Sequence, residues 1–488
     1  MDRHVGNVGR SLSALLVLAL LTVGTSVAQA KPKATFPLKE SANGHYLVGH
    51  NNVPFFIAGD ASWTIITNLT KADARRYLDD RARHGSTAVF AYLIENTYSR
   101  KAPNNIYGVA PFNTPGDFST PNPVYFNHAA WVVKQAEKRG MAVWLLPAFL
   151  GFGAGSDGWW NDIIANGPAK MRAYGRYLGR RFRNFSNIVW MNGGDYSPPS
   201  GSEGERNALE ILKGINDIKP ASFHTFHGAR SPLGAAASTG TLSTDQANFA
   251  PFLNLNGVYH SDEDTFPSRA GEVYRLSRRA YNQPNVMPAY VIEGRYECPA
   301  SHCPSALPSY LTNDPARIRR QAYWADLSGA TGQFFGNEFV WSFGNSELAN
   351  GTWDGPEGIG SVGHQDMERL NRFFTSHAWY DLVPDQNQTT VTAGYGTFGA
   401  ADYVTSARTG GGSLVMAYVP PTGTEARTLT VNMSRLSRKT TAQWFNPATG
   451  AYIAVAGSPF ANAGSRDFTT PGDNGTGAND WVLVLKAK

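Results

Sequence analysis

The sequence contains little cysteine and little charge, and both properties restrict what the protein can be. Only Cys298 and Cys303 occur among the 488 residues, and one nearby histidine, His302, is too little to complete a metal site. Charged residues make up 17% of the chain, and no block of lysine and arginine is present. We therefore expect no nucleic-acid partner.

Long apolar runs are also missing after the first 30 residues. Arg3 and Arg10 precede the apolar run Leu12 to Val23, and Ala28-Gln29-Ala30 provides an A-x-A cleavage site. This run is too short for a membrane anchor. The pattern predicts a signal peptide over residues 1–30, a secreted or periplasmic protein, and no membrane segment in the mature form.

Export affects the interpretation of the two cysteines. Four residues lie between Cys298 and Cys303 in a proline-rich loop, and two cysteines in an oxidising compartment are expected to form a disulfide. We expect no metal and no cofactor. Aromatic residues reach 12%, with 12 tryptophans, which suits a secreted protein that stacks on flat, apolar ring faces.

Strand and helix patterns alternate from about residue 36 to residue 380. The pattern begins with a strand over 54–60 and a helix that opens at a capping box at Thr70. A later helix is expected over 169–182, a last crossover helix over 315–328 and an eighth strand over 332–335. Eight such alternations predict a (β/α)8 TIM barrel over residues 31–380.

The pattern changes from about residue 381. Short apolar strands, such as 413–419 and 481–486, alternate with turns rich in glycine, proline and asparagine. No segment has the length and periodicity of an amphipathic helix. Residues 381–488 are therefore predicted to form a small antiparallel β-sandwich.

Two acids, Asp195 and Glu293, each end an apolar run in the barrel region. The runs are Asn187 to Asp195 and Pro288 to Glu293, and each acid lies beside a glycine. Buried parallel strands deliver such side chains to the C-terminal mouth of a barrel. By strand count, Asp195 ends the fourth strand and Glu293 the seventh. Glycoside hydrolysis requires such a pair of facing carboxylates.

Several segments resemble one known family. They are residues 37–48, residues 54–63, the strand Trp190 to Asp195 and the tripeptide Ile292-Glu293-Gly294. Together they are similar to the apiosidase-like catalytic domain of glycoside hydrolase family 140. The tail, with Trp444-Phe445-Asn446-Pro447, resembles a β-sandwich that carries a collagen-binding label.

The resemblance implies a retaining glycoside hydrolase that acts on a pentofuranose, such as apiose in plant cell-wall pectin. It implies that Asp195 is the general acid/base and that Glu293 is the nucleophile. In the wider clan of barrel glycosidases an Asn-Glu pair usually ends strand four, whereas Gly194-Asp195 stands here. The glycines allow the shorter acid a different backbone position.

Seven further residues near predicted strand ends are candidates for binding the carbohydrate substrate. They carry hydroxyl-binding groups or flat rings, and the alternative for each is a packing or capping role. They are Asp60, Trp63, Asn192, His227, His260, Arg295 and Trp341.

Two other functional classes are compatible with parts of the sequence. A metal-dependent barrel hydrolase could use His224, His227 and His260, but the His-x-His motif of such enzymes is absent. A non-catalytic carbohydrate- or matrix-binding protein could retain the barrel as a scaffold. The presence of both acids favours the enzyme.

Overall fold

The computed structural model describes residues 32–229, 241–260, 271–299, 303, 307, 310–344 and 351–488. Residues 34–488 form one compact unit. The predicted signal peptide lies outside the described residues. Among those that are described, no helix has the length and apolarity needed to cross a membrane.

Eight parallel strands form the centre of the N-terminal region, which confirms the predicted α/β barrel. We number them first to eighth along the chain: Ile57–Asp60, Ala88–Tyr92, Ala142–Leu146, Ile188–Gly193, Phe223–His227, Asn256–Tyr259, Ala289–Glu293 and Ala330–Phe335. Side by side in the sheet, the strands follow the order five, four, three, two, one, eight, seven and six, so the eighth strand lies beside the first. Strands five and six meet where the Asn254 amide donates to the His224 carbonyl at 2.9 Å.

Helices cover the outside of the barrel. Their bounds are Ile65–Asn68, Lys71–Arg83, Pro123–Lys138, Trp160–Arg181, Glu203–Ile218, Glu272–Tyr281, Pro315–Asp326, Glu338–Trp341 and Val362–Thr375. Side chains cap their first turns: the hydroxyl of Thr70 accepts from the Asp73 amide, and Ser202 accepts from the Glu205 amide. The predicted capping box at Thr70 therefore opens a helix as expected.

Three elements differ from the sequence prediction. The strand expected over 54–60 is divided, because Pro54–Phe55 pairs with Leu47–Val48 outside the barrel. The helix expected from residue 169 begins at Trp160, since it continues across a kink at Gly167. The helix Val362–Thr375, which follows the eighth strand, was not predicted.

Successive residues of the barrel strands face opposite sides, and this alternation decides which side chains can reach the mouth. The interior is packed with aromatic rings: Phe90 and Phe334 stack at 3.6 Å, and Trp144 meets Phe334 at 5.1 Å. On the fourth strand Met191 faces this interior, whereas Trp190 packs against the outer helices.

The C-terminal region is an antiparallel sandwich, as predicted. Its six-stranded sheet pairs Leu382–Pro384, Thr405–Thr409, Leu414–Val419, Trp481–Ala487, Thr440–Phe445 and Tyr452–Ala454, in that order. Its three-stranded sheet pairs Val391–Ala393, Thr428–Asn432 and Ser465–Thr469.

Barrel and sandwich share a hydrophobic core. Phe373 of the last barrel helix stacks on Phe445 at 4.4 Å, and Tyr323 stacks on Tyr418 at 4.9 Å. Arg319 is 1% exposed and donates to Asp480 of the sandwich at 2.8 and 2.9 Å. The sandwich is therefore packed onto the barrel over a buried apolar and ionic contact.

Candidate active site

The backbone at the end of the fourth strand places Asp195 at the barrel mouth. Gly193, Gly194 and Asp195 all have positive φ, at 89°, 114° and 50°. A Cβ atom on Gly194 would lie 2.5 Å from the ring of Phe149, so only glycine allows this close approach. The amide of Gly153 donates to the Asp195 carbonyl at 3.2 Å and ties the loop after strand three to this turn.

Side chains at the ends of strands five and six hold Asp195. The hydroxyl of Tyr259, at the end of strand six, donates to Asp195 Oδ1 at 2.7 Å. The Asp195 amide donates to His227 Nδ1 at 2.9 Å. The Gly194 amide also donates to the His227 carbonyl, at 2.8 Å. The acid is thus fixed through both its side chain and its backbone.

A β-bulge sets the direction of Glu293. Tyr259 pairs with Glu293 while Val258 pairs with Val291, which leaves Ile292 as the extra residue. A bulge re-aims the side chain that follows it, so Glu293 faces the mouth although Ile292 packs in the barrel interior. The Glu293 side chain is 15% exposed, and its Oε2 lies 3.0 Å from His227 Nε2.

Tyr296 supplies a second partner for Glu293. Trp63 Nε1 donates to the Tyr296 hydroxyl at 2.7 Å, which leaves the phenolic proton free to point at the carboxylate. Burial raises the pKa of Tyr296 well above its usual value, and the charge on Glu293 adds to this effect. Tyr296 is therefore a neutral hydrogen-bond donor throughout the working pH range of a protein.

His227 lies between the two acids. Its ring stacks on Tyr259 with centroids 4.8 Å apart and an angle of 24°. Burial lowers the pKa of His227, but the hydrogen bond to Glu293 and the charges of Glu293 and Asp195 outweigh burial and raise it. The bond from the Asp195 amide opposes protonation at Nδ1, because a protonated Nδ1 cannot accept it.

The two carboxylates and the histidine are close enough to act on one group. One oxygen of Asp195, one oxygen of Glu293 and one ring nitrogen of His227 lie within 4.8 Å of one another. Oxygen and imidazole ligands at this spacing can also hold a divalent metal ion. From the sequence we expected no metal, and the metal-dependent alternative combined His227 with His224 and His260 and not with the two acids.

Aromatic side chains line the mouth around the acids. Trp63 is 4% exposed and stacks on Tyr92 at 4.7 Å, so it lies beneath the site with little ring surface free. Trp341, which is half-buried, meets Tyr98 edge-on at 5.3 Å. Tyr98 in turn donates to Asp157 at 2.5 Å. Trp341 and Tyr98 therefore offer the ring surface at the rim.

Two residues predicted to bind substrate lie outside the cleft. Asp60 is 2% exposed and contacts His364 at 3.1 Å and Arg81 at 3.5 Å, both on outer helices. Asn192 donates to the Thr225 carbonyl at 3.0 Å, behind the fourth strand. Both predictions were wrong in direction, because strand alternation turns Asp60 and Asn192 away from the barrel interior.

The remaining predicted residues lie near strand seven. His260 is buried against Gly294, where an added Cβ would lie 2.8 Å from its Nε2. Arg295 Nη1 donates to the Leu311 carbonyl at 3.2 Å. The disulfide between Cys298 and Cys303 is confirmed, with Cα atoms 5.9 Å apart.

Tyr259 and Tyr296 were not predicted, although both contact the acidic pair. Tyr259 directly precedes His260 at the end of a predicted strand, so its position carried a weak signal. Tyr296 lies three residues after Glu293, in the short strand Tyr296–Glu297, and its contacts with Glu293 and Trp63 form only in the folded chain. The electrostatic effect of Asp195 and Glu293 also reaches Tyr92, whose pKa is raised first by burial and then by neighbouring charges that include both acids.

Two protein-family descriptions match consecutive parts of the chain. The family described as "Apiosidase-like, catalytic domain" matches residues 41–381. The chain belongs to this family. The apiosidase-like match ends where a second one begins, since "Putative collagen-binding domain of a collagenase" matches residues 383–486. The resemblance seen in the sequence is confirmed, and this apiosidase-like chain is a glycoside hydrolase.

Solved structures show the same fold. A glycoside hydrolase family 5 protein from Bacteroides vulgatus ATCC 8482 is 20% identical, with a TM-score of 0.75 over 93% of this chain and 95% of that one. Another glycoside hydrolase is 21% identical, with a TM-score of 0.74 over 93% of this chain and 99% of that one. No curated protein matches the apiosidase-like chain significantly.

Proposed function

We propose that the protein is a retaining glycoside hydrolase in which Glu293 is the nucleophile and Asp195 is the general acid/base. One observation carries the proposal: oxygens of the two carboxylates lie within 4.8 Å of each other at the barrel mouth. Retaining pairs are separated by about 5–5.5 Å, and inverting pairs by about 6.5–9.5 Å to make room for water. The 4.8 Å limit joins one oxygen of each acid, not the two carboxyl groups as wholes, so it supports a pair that acts on one bond, and we propose that this pair belongs to the shorter, retaining class.

The hydrogen bonds support this division of roles. Glu293 faces donors from His227 and Tyr296, which hold its carboxylate in position to attack the anomeric carbon. Asp195 accepts a hydrogen bond from the Tyr259 hydroxyl on Oδ1, which orients the carboxyl group at the mouth for proton transfer to the glycosidic oxygen. Asp195 first protonates the leaving group and then accepts a proton from the water that releases the sugar.

The proposed substrate is a pentofuranoside, such as apiose in plant cell-wall pectin. The family description supports apiose, and the aromatic rim supplies surface for a sugar ring. We further propose that the enzyme is exported to the periplasm or the medium. The charged start, short apolar run and A-x-A site of residues 1–30 support export.

The test compares two leaving groups in two variants. Glu293→Ala should abolish turnover of both an alkyl and a dinitrophenyl apioside, because no covalent intermediate forms. Asp195→Ala should retain more activity on the dinitrophenyl substrate, which needs no proton, and azide should yield a glycosyl azide. The wild-type product, followed by proton NMR, should keep its anomeric configuration.

A matched control comes from another buried acid on a barrel strand. Asp60→Asn changes a carboxylate that faces the outer helices, so kcat at 25 °C should remain within about threefold of wild type. Inversion of configuration, or equal losses for Asp195→Ala with both leaving groups and no azide product, contradicts the assigned roles. Absence of turnover on all furanosides favours a non-catalytic binding protein.

The arrangement of Asp195, His227 and Glu293 favours one other candidate, a metal-dependent hydrolase. In that case dialysis against a chelator should abolish turnover, and a divalent metal should restore it. A retaining two-carboxylate enzyme should lose no activity under the same treatment. Metal analysis of the purified protein provides a second measurement that does not depend on the choice of substrate.

A further inference from the structure

We propose that His227 is a positioning residue that joins the backbone of the acid/base to the carboxylate of the nucleophile through one fixed tautomer. This inference rests on the proposed roles of Asp195 and Glu293 and adds a residue that sets their relative position. It also replaces the substrate-binding role that the sequence suggested for His227.

The directions of the two hydrogen bonds follow from the donor on strand four. A backbone N–H can only donate, so the Asp195 amide, 2.9 Å away, requires a lone pair on His227 Nδ1. A neutral imidazole then carries its proton on Nε2. That proton points to Glu293 Oε2 at 3.0 Å. The backbone amide of Asp195 therefore fixes the tautomer of His227 in which Nε2 donates to Glu293.

The ring has little freedom to move. His227 is 1% exposed, stacks on Tyr259 at 4.8 Å and meets Trp63 at 5.7 Å on an angle of 56°. Its backbone carbonyl accepts from the Gly194 amide at 2.8 Å. Ring and main chain of one residue therefore hold the same turn of strand four, and the ring also reaches strand seven.

A substrate contact would need a free ring nitrogen. Both nitrogens of His227 are already engaged, one by a backbone donor and one by the nucleophile. A sugar hydroxyl could bind only by displacing one of these partners from a buried site. The geometry therefore favours a role in placing Glu293 over a role in binding sugar, and it predicts an effect on kcat more than on KM.

The experiment uses two substitutions that differ in hydrogen bonding. His227→Leu removes the acceptor and the donor, so kcat on an aryl apioside should fall about 10- to 100-fold, with KM within about threefold. His227→Gln offers one amide oxygen and one amide N–H in a side chain of similar reach, so it should recover about tenfold of that loss.

A neighbouring histidine provides the control. His224 lies on the same strand, is fully buried and contacts Asn216 at 2.9 Å behind the barrel. His224→Leu should lower the melting temperature but keep kcat within about twofold of wild type. Suppose that both variants show an equal drop in melting temperature and only His227→Leu loses kcat. The loss of kcat then cannot arise from general destabilisation.

The first chemical step can be measured by itself. A 2-deoxy-2-fluoro aryl glycoside should label Glu293, and mass spectrometry follows the rate of labelling. His227→Leu should slow the maximal labelling rate by the same factor as kcat, while half-saturation by the reagent stays within about threefold. Recovery of this rate in His227→Gln completes the expected result.

Three outcomes overturn the inference. They are a His227→Leu enzyme with kcat within threefold of wild type, a loss confined to KM, and a folded His227→Gln enzyme no faster than His227→Leu. Failure of the proposed function is distinguishable, because Glu293→Ala would then remain active or no label would reach Glu293 in wild type. If His227→Leu does not fold, His227→Gln decides by comparison with wild type: a kcat no more than about tenfold lower is expected, and a larger loss of kcat or a loss confined to KM overturns the inference.

Discussion

One buried ion pair joins the barrel to the sandwich, and its burial predicts how much the loss of this contact destabilises the enzyme. Arg319 is 1% exposed and donates twice to Asp480, which is fully buried on the sandwich. Arg319 also contacts Asp366 at 2.9 Å. Asp480→Ala would leave the buried guanidinium with Asp366 as its one remaining acidic partner, whereas Asp195 and Glu293 would not be touched.

The size of the effect follows from this burial. Removal of one partner from a buried ion pair costs about 3–5 kcal/mol. Residues 34–488 form one compact unit, and unfolding entropy of roughly 2.1 cal/mol/K per residue gives about 1 kcal/mol/K for the unit. Asp480→Ala should therefore lower the melting temperature by about 3–5 °C, and kcat at 25 °C should stay unchanged.

Thermal unfolding by circular dichroism measures this shift, and an exposed pair supplies the control. Asp217 also accepts two bonds from one arginine, Arg172 at 2.6 and 2.7 Å, but on the protein surface. Asp217→Ala should move the melting temperature by no more than about 1 °C. Equal shifts for the two variants, or a selective loss of kcat in Asp480→Ala, would refute the reasoning.

Two further predictions concern acid stability and the turn that carries Asp195. Burial lowers the pKa of His224 to about 3 and that of His128 to about 4, while both titrate near 6.5 when unfolded. Only the unfolded chain takes up these protons below pH 6.5, so the free energy of unfolding should fall by about 2 kcal/mol per histidine at pH 5. Urea titrations at pH 7 and pH 5 should show the loss, and His224→Leu should reduce it; an unchanged pH dependence contradicts the assignment. Gly194→Ala, at φ 114° and against a neighbouring ring, should displace Asp195 and lower kcat at least tenfold, whereas Gly201→Ala, in open space, should not.

The sequence by itself identified the order of elements, the two acids and the disulfide. Apolar runs that end at Asp195 and Glu293 mark buried strands, because parallel strands covered on both faces need no polar alternation. Counting these runs placed the acids on the fourth and seventh strands, which the structure confirms. Cys298 and Cys303 were paired correctly because no other cysteine is available.

The tertiary structure alone decided which neighbouring residues reach the mouth. Asp60 and Asn192 stand at strand ends, as the sequence suggested, yet both point outward, because one step along a strand reverses the side-chain direction. Glu293 points inward only because a bulge shifts the register by one residue. Tyr259 and His227 join the site through contacts across strands that lie apart in sequence. A linear pattern can mark where each strand ends, but it does not specify the register between strands or the contacts between side chains.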